Sequence, residues 1–544
     1  MALTVALILI AFLAYSRFTR PPFPPGPSPL PIIGNILDLT SKELWLTAFK
    51  WARTYGPVTH IRIFNKSLIF LNTPKAVFDL LDKRGSVYSD KPHLVMAGEL
   101  CGCENMAAFT PYGDRARRQR KLIQKAFGPA VIPRYHGLMQ MESRPFLSRL
   151  VGSPLHFQDH IRRQIRYAGG LTLLVVYGHQ VKSNDDPFLT LAEECVDILA
   201  NRIASGGGIW PVDIFPFLKH IPLWFPGASF KRNAQIWKAK MEEFVDRPYE
   251  FVKNEIKKGT AHPSFVSTLL EPPKLSSDTS FDSTDDDDEA PFTSNRNSCF
   301  SSDNTKVAKD TATDDHDIRW TANSMYSASI DTTITTLSHF ILAMVQHPHV
   351  LRRAQAELDD VLGSGHASKA KRLPTFEDRP KLPYCDAVFT ETLRWGVPVP
   401  LSLPHRLTQP DTYEGMYIPQ GSLVFGNIWA IMRDPGLYQD PEVFEPRRWL
   451  ADAIVGEEER DPRAFVFGFG RRRCPGTHLV ESSIWLLITS MLATLDICKA
   501  RDEKGVEIEP VVRFENAVFR TPSPFVCDIR PRSEEALRLI MEGE

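Results

Sequence analysis

The chain has 544 residues, of which 43% are apolar and 24% charged, with a formal net charge of −1. That is long and apolar enough for one or more large cores, and it excludes a wholly disordered chain. The charge balance gives no basis for nucleic-acid binding, and eight irregularly spaced cysteines do not make a disulfide framework.

Residues 1–16 carry no charged side chain and are mostly Leu, Ile, Val, Ala and Phe. As a helix they would cover about 24 Å, slightly less than a hydrocarbon core of about 30 Å. A signal peptide would need a basic leader and a small-residue cleavage site, and neither is present. Arg17 and Arg20 follow directly and favour a cytoplasmic downstream chain. The segment therefore reads as a transmembrane anchor. Residues 17–35, ending PPFPPGPSPLPIIGN, read as a basic, proline-stiffened hinge.

Residues 41–55 have the pattern of an amphipathic helix, and Asn65-Lys66 between two apolar runs marks a hairpin. Cys101-Gly-Cys103 is the closest cysteine pair, with no second pair to complete a metal site. Residues 113–127 form a strongly cationic helical stretch: Arg115, Arg117, Arg118, Arg120, Lys121 and Lys125 against Asp114. Residues 271–317 are rich in Ser, Thr, Asp and Pro and contain the run Asp285-Asp286-Asp287-Asp288-Glu289. They read as a disordered acidic insertion, with a regulatory tail or a retained non-coding stretch as alternatives. Residues 320–346 read as one long apolar helix interrupted by Asp331, Thr332 and Thr333. On the helix at 384–395, Glu391 and Arg394 share a face. A proline-punctuated stretch follows, then FVFGFGRRRCPGTH at 465–478, where Cys474 lies between arginines and a helix start. Cations and a helix N-terminus both favour a thiolate there.

These features occur in an order that resembles the cytochrome P-450 superfamily. Residues Phe467 to Gly476 are similar to its haem signature F-x-x-G-x-R-x-C-x-G at every fixed position. Glu391-Thr-Leu-Arg394 resembles E-x-x-R, Pro446-Arg447-Arg448-Trp449 resembles P-E-R-F, and Ala328 to Thr333 resemble A-G-x-D-T-T. The arrangement looks most like the fungal microsomal enzymes of secondary metabolism. The resemblance implies a mainly α fold with small β-sheets (α+β), a triangular helical prism around haem, over residues 36–531, with a C-terminal tail at 532–544.

The resemblance also implies roles. Cys474 would be the axial ligand of haem b. Phe467, Gly470 and Gly476 would shape its loop, with Arg120, His405 and Arg472 on the haem propionates. Glu391, Arg394 and Arg448 would form a structural triad. Asp331 and Thr332 would relay protons during activation of O2, and Tyr326, Ala328 and Val397 would line the substrate pocket. The partners implied are NADPH–cytochrome reductase, optionally cytochrome b5, and an apolar small molecule such as a terpenoid or polyketide intermediate. The place implied is the cytosolic face of the endoplasmic reticulum membrane, with residues 209–225 dipping into it. Two further readings stay open: a haem-thiolate isomerase or dehydratase that needs no electron donor, and a haem-binding sensor or carrier without turnover. Three positions depart from the pattern. Ala116 stands where the haem-side tryptophan is usual, Ser329 where glycine is usual, and Arg447 where glutamate is usual. A narrower, more polar oxygen groove is expected from Ser329.

Overall fold

Helices dominate the structure, a computed structural model that describes residues 21–40, 43–152, 165–181, 186–204, 210–271, 311–363, 370–450, 461–515 and 518–542. The expected anchor at 1–16 and the acidic run lie outside these residues. The longer helices are α1 (Leu44–Tyr55), α2 (Asp114–Phe127), α3 (His136–Gly152), α4 (Ile165–Tyr177), α5 (Pro187–Asp197), α6 (Ser229–Lys258), α7 (Thr311–Gln346), α8 (Pro348–Leu362), α9 (Pro383–Gly396), α10 (Thr477–Thr494) and α11 (Glu534–Met541). Helix α7 packs against α2, α4, α6, α9 and α10. It is the one described helix long and apolar enough to cross a membrane, and it is mostly buried, so it serves as a core helix.

The largest sheet has four strands, β1 (Val58–Ile63), β2 (Lys66–Leu71), β3 (His405–Arg406) and β6 (Leu423–Gly426), in the order β1-β2-β6-β3. The β1–β2 hairpin turns at Phe64-Asn65, one residue before the expected place. Phe64 has positive φ there, and its ring packs edge-on against Phe215, centroids 4.8 Å apart. Helix α1 buries Leu44, Trp45, Ala48 and Trp51 against the sheet side of the molecule. Among the described residues, three two-stranded sheets accompany it: β4 (Asp411–Tyr413) with β5 (Met416–Ile418), β7 (Leu495–Lys499) with β10 (Cys527–Pro531), and β8 (Phe514–Glu515) with β9 (Thr521–Pro522).

Three expected boundaries move. The described part of the hinge is docked on the body and turns back on itself at Leu30–Gly34. The Pro25 carbonyl accepts from His60 N–H at 3.0 Å and the Pro22 carbonyl from Tyr417 N–H at 2.8 Å. A Cβ on Gly26 would stand 1.9 Å from the His60 carbonyl oxygen, so only glycine permits this approach. At the insertion, α7 already starts at Thr311, so residues 311–317 are helix; Asp317 is buried and accepts from Arg118 at 2.6 Å. At the C-terminus the expected tail is a packed helix. Helix α11 buries Ala536, Leu539 and Ile540 and contacts α3. Arg532, just before it, bonds Asp359.

Truncation after Pro531 removes two large buried side chains and the Arg532 pair. The expected loss is about 3–6 kcal/mol at about 1.5–3 kcal/mol per buried Leu or Ile, read as a lower urea midpoint.

Candidate functional site

The loop before α10 is shaped by its glycines. Gly468 and Gly470 have φ of 74° and 52°. A Cβ on Gly470 would stand 2.2 Å from the carbonyl oxygen of Leu81, so glycine is required there. Cys474 N–H donates to the Phe467 carbonyl at 2.7 Å, and the Thr477 hydroxyl donates to the Cys474 carbonyl at 2.8 Å. Burial pushes the Cys474 thiol up; the Gly476 N–H, Arg120, Arg473 and the Thr477 hydroxyl pull it down by less. The loop's arginines and amide favour the thiolate, as expected, but burial opposes them more strongly. A bound metal would favour the deprotonated sulfur further. Cys474 nevertheless has accessible surface. A sulfur both accessible and enclosed by protein faces an interior cavity.

Helix α7 supplies a second accessible group inside the molecule. Ala328 is exposed and Thr332 partly exposed, one turn apart on a helix otherwise mostly buried. The Thr332 hydroxyl donates to the Ala328 carbonyl at 3.0 Å, and Asp331 is partly exposed beside it.

Beside the cysteine loop lies a cationic cluster. Arg472 donates to the carbonyls of Ser89 at 2.8 Å and Thr110 at 2.7 Å. Arg120, on α2, is close enough to Cys474 and Arg472 to act on both. The His405 ring donates from Nδ1 to the Tyr88 carbonyl at 2.7 Å. Its Nε2 can donate to an anion only as imidazolium, and burial, Lys91 and Arg472 hold its pKa well below the usual value. Burial likewise lowers Arg120, and pushes Arg472 down to about 10. Among the described residues neither arginine has a carboxylate partner. Two half-buried cations side by side with no anion are unfavourable, and two ligand carboxylates would relieve them.

The cytochrome P450 family model matches residues 24–526. This chain belongs to the cytochrome P450 family. It is 38% identical over 543 residues to cytochrome P450 monooxygenase claR of Ampulloclitocybe clavipes, spanning 98% of this chain and 92% of that one. It is 37% identical over 540 residues to claT of the same organism, spanning 99% and 97%. It is also 37% identical over 530 residues to cytochrome P450 monooxygenase 136 of Postia placenta, spanning 97% and 92%. This P450 is therefore an oxidoreductase of the monooxygenase kind. The family implies haem-thiolate iron, O2, a redox partner and a hydrophobic substrate. The cationic cluster and the enclosed, accessible Cys474 fit haem, with its two carboxylates and its need for a sulfur ligand.

The P450 also brings Glu391, Arg394 and Arg448 together. Arg394 donates to both Glu391 oxygens at 2.8 Å, and neither side chain has any exposed surface. Its remaining donors go to the carbonyls of Met432, Pro441 and Val443. Arg448 reaches Glu391 at 3.3 Å. Sequence reasoning missed Trp449, whose indole donates to Glu391 at 2.9 Å. It also missed Lys91, buried beside Arg472 and His405. Trp449 stood in the P-E-R-F-like segment without a role, and Lys91 had no signal at its own position, because each contact joins segments far apart in sequence.

Four expectations are corrected. Tyr326 does not line the cavity: it is fully buried between Tyr177 and Phe244, and its hydroxyl donates to the Phe188 carbonyl at 3.2 Å. It precedes Ala328 by two residues, about 200° around the helix. Val397 is also fully buried, at a left-handed cap of α9, whereas Val399 and Leu403 beyond it keep accessible surface. The Ser329 hydroxyl accepts from Thr172 on α4 at 3.0 Å and donates to the Tyr326 carbonyl, so it is turned away from the expected groove position. The cationic helix is partly neutralised: Asp317 takes Arg118 and Arg115, and Asp114 takes Arg117.

Glu391→Ala leaves Arg394 charged and buried without its carboxylate, at a cost of about 3–5 kcal/mol. The expected result is little or no haem-loaded protein, measured as haem per polypeptide after purification. Trp449→Phe, which removes one of five donors to Glu391, is expected to keep most of it.

Proposed function

We propose that this P450 is a membrane-anchored monooxygenase with haem b. It inserts one atom of O2 into an apolar small molecule of the terpenoid or polyketide class. The observation that carries this reading is the enclosed, accessible Cys474 beside carboxylate-free Arg120 and Arg472. When bound, haem supplies the iron that activates O2. Cys474 would ligate it through Sγ, with the Gly476 N–H moderating the sulfur's charge. Arg120 and Arg472 would hold the propionates, and His405 would join them as imidazolium where a propionate offsets Lys91 and Arg472.

Thr332 and Asp331 would handle protons on the opposite side of the haem. The Thr332 hydroxyl now rests on the Ala328 carbonyl. Rotating it off that acceptor would aim its proton into the cavity, and Asp331 would replace the proton through water. Ala328, Val399 and Leu403 offer apolar surface for the substrate.

Electrons would come from NADPH through cytochrome reductase, with cytochrome b5 as a second donor. Lys121, Arg471 and Arg473, exposed near the cysteine loop and on α2, are the cations left to steer an acidic partner. Residues 1–16 would anchor the protein on the cytosolic face of the endoplasmic reticulum. Membrane contact by residues 209–225 is supported by Trp224, 80% exposed, with Phe217 and Phe225. Ile32, 82% exposed, extends this apolar surface, and the Phe64–Phe215 contact joins the two segments.

The reduced, carbon-monoxide-bound spectrum is expected to show the strongly red-shifted Soret band of a thiolate in the wild type and not in Cys474→Ala. Absence of the band in the wild type overturns the reading. With reductase added, Thr332→Ala is expected to keep consuming NADPH while releasing hydrogen peroxide. Its product formation falls about 10²-fold, the lower end of what a positioned proton donor contributes. Unchanged coupling removes Thr332 from the relay.

A further inference from the structure

Arg520 stands outside the expected haem site, and its charge has no counterpart in the protein. It is 7% exposed and makes no ion pair among the described residues. The acids that act on it do so from a distance: Glu442 is bonded to Arg433 at 3.2 Å, and Glu43 makes no bond to Arg520. Burial first and then Arg433 pull its pKa well below the usual value. An apolar side chain would fill the same space without that cost.

The guanidinium is nonetheless fixed in plane and direction. It lies over the rings of Phe514 at 3.4 Å and Trp429 at 4.6 Å. Nη1 donates to His339 Nε2 at 2.8 Å and to the Gly396 carbonyl at 2.9 Å, which uses both its hydrogens. A guanidinium only donates, so His339 accepts through Nε2 and carries its proton on Nδ1, which donates to the Thr335 carbonyl at 2.7 Å. Nε and Nη2 of Arg520 bond to nothing among the described residues, yet each keeps accessible surface. Their N–H groups lie along one edge of the plane, at the spacing of the two oxygens of a carboxylate.

The same contacts bring this edge to the cavity. His339 follows Thr332 by two turns of α7 and lies about 20° away on the same face. That face carries the accessible Ala328 and Thr332. Thr521, next to Arg520, meets Thr335 of α7 at 2.8 Å. On the other side, the Arg520 N–H donates to the carbonyl of Pro398 at 3.0 Å. Val399 follows directly, and with Leu403 it offers apolar surface to the substrate. Arg520 thus joins two walls of the cavity, about 10 Å along α7 from Thr332.

We propose that the free edge of Arg520 is a carboxylate-binding subsite of the substrate cavity, and that the molecule this P450 takes is an apolar acid. This rests on the haem-thiolate monooxygenase reading. The acid supplies the anion that the protein lacks here, and His339 positions the guanidinium for it. Since Thr332 is two turns away, the carboxylate and the reacting carbon lie at opposite ends of the molecule.

The experiment titrates the full-length, haem-loaded ferric protein with dodecanoic acid, abietic acid and the methyl ester of each. At about pH 7.5 both acids are ionised. The shift of the Soret band reports a ligand only when it lies against the haem, so a carboxylate bound elsewhere leaves it unmoved. The wild type is expected to bind at least one acid about tenfold or more tightly than its ester, the worth of one hydrogen bond to a charged group. Arg520→Met is expected to remove that preference by weakening the acid alone. Arg520→Lys, a point charge without the paired donors, is expected to keep only part of it. A crystal structure of the wild type with the tighter acid, which needs no variant, is expected to place its carboxylate within hydrogen-bond distance of Nε and Nη2. The proposal is overturned by a wild type that prefers neither acid, by equal weakening of acid and ester in Arg520→Met, by a preference that survives in it, or by a carboxylate placed elsewhere. A wild type without the red-shifted carbon-monoxide band would instead overturn the haem-thiolate reading.

Discussion

Glu391 is a carboxylate with no access to solvent, and much of the cysteine side of the molecule is arranged around it. Its oxygens collect Arg394, Arg448, the Trp449 indole and the Glu445 N–H. Arg394 in turn pins three backbone carbonyls between residues 432 and 443. One desolvated charge thereby fixes a long stretch of irregular chain that has little regular structure of its own. Its net contribution to stability is small, because desolvation offsets the attraction, but removal of either partner is severe. That asymmetry makes such a pair suited to specifying one arrangement of loops.

The cysteine side and the cationic cluster follow opposite rules. Around Glu391 the carboxylate has its full set of donors. Around Lys91, Arg120 and Arg472 positive charge is left without carboxylates, and the protein alone does not neutralise it. The same holds at Cys474, where burial outweighs the groups that favour a thiolate. Both imbalances have the sign that a metal complex bearing carboxylates would correct. Ligand affinity is thus partly stored as unfavourable electrostatics in the folded chain.

What could be read in the sequence was local chemistry at fixed spacing. The cysteine loop, Glu391 with Arg394, and the Asp331-Thr332 pair stand on single segments, and their spacing survives into the structure. Most helix boundaries were close, since the apolar periodicity that marks them is also what buries them. Contacts that depend on rotation or on distant segments were not legible. Tyr326 was misplaced because two residues along a helix reverse the facing side. Val397 was misplaced because a left-handed cap turns the chain just there. Lys91 and Trp449 were missed because backbone carbonyls and a remote carboxylate leave no mark on the residue that bonds them. The hinge was read as a stiff spacer and the C-terminal segment as a tail, because proline content and position say nothing of docking.

The docked hinge has a mechanical consequence. The chain is fastened to the body from Pro22 onward, and five residues separate Pro22 from Ser16 at the end of the proposed anchor. Even fully extended, five or six residues reach only about 20 Å. The body would then sit on a leash shorter than its own radius, which for a chain of this length is about 24 Å. It could rock, but it could not roll over to present a different face to the bilayer. An apolar molecule leaving the lipid would meet the same side of the protein every time.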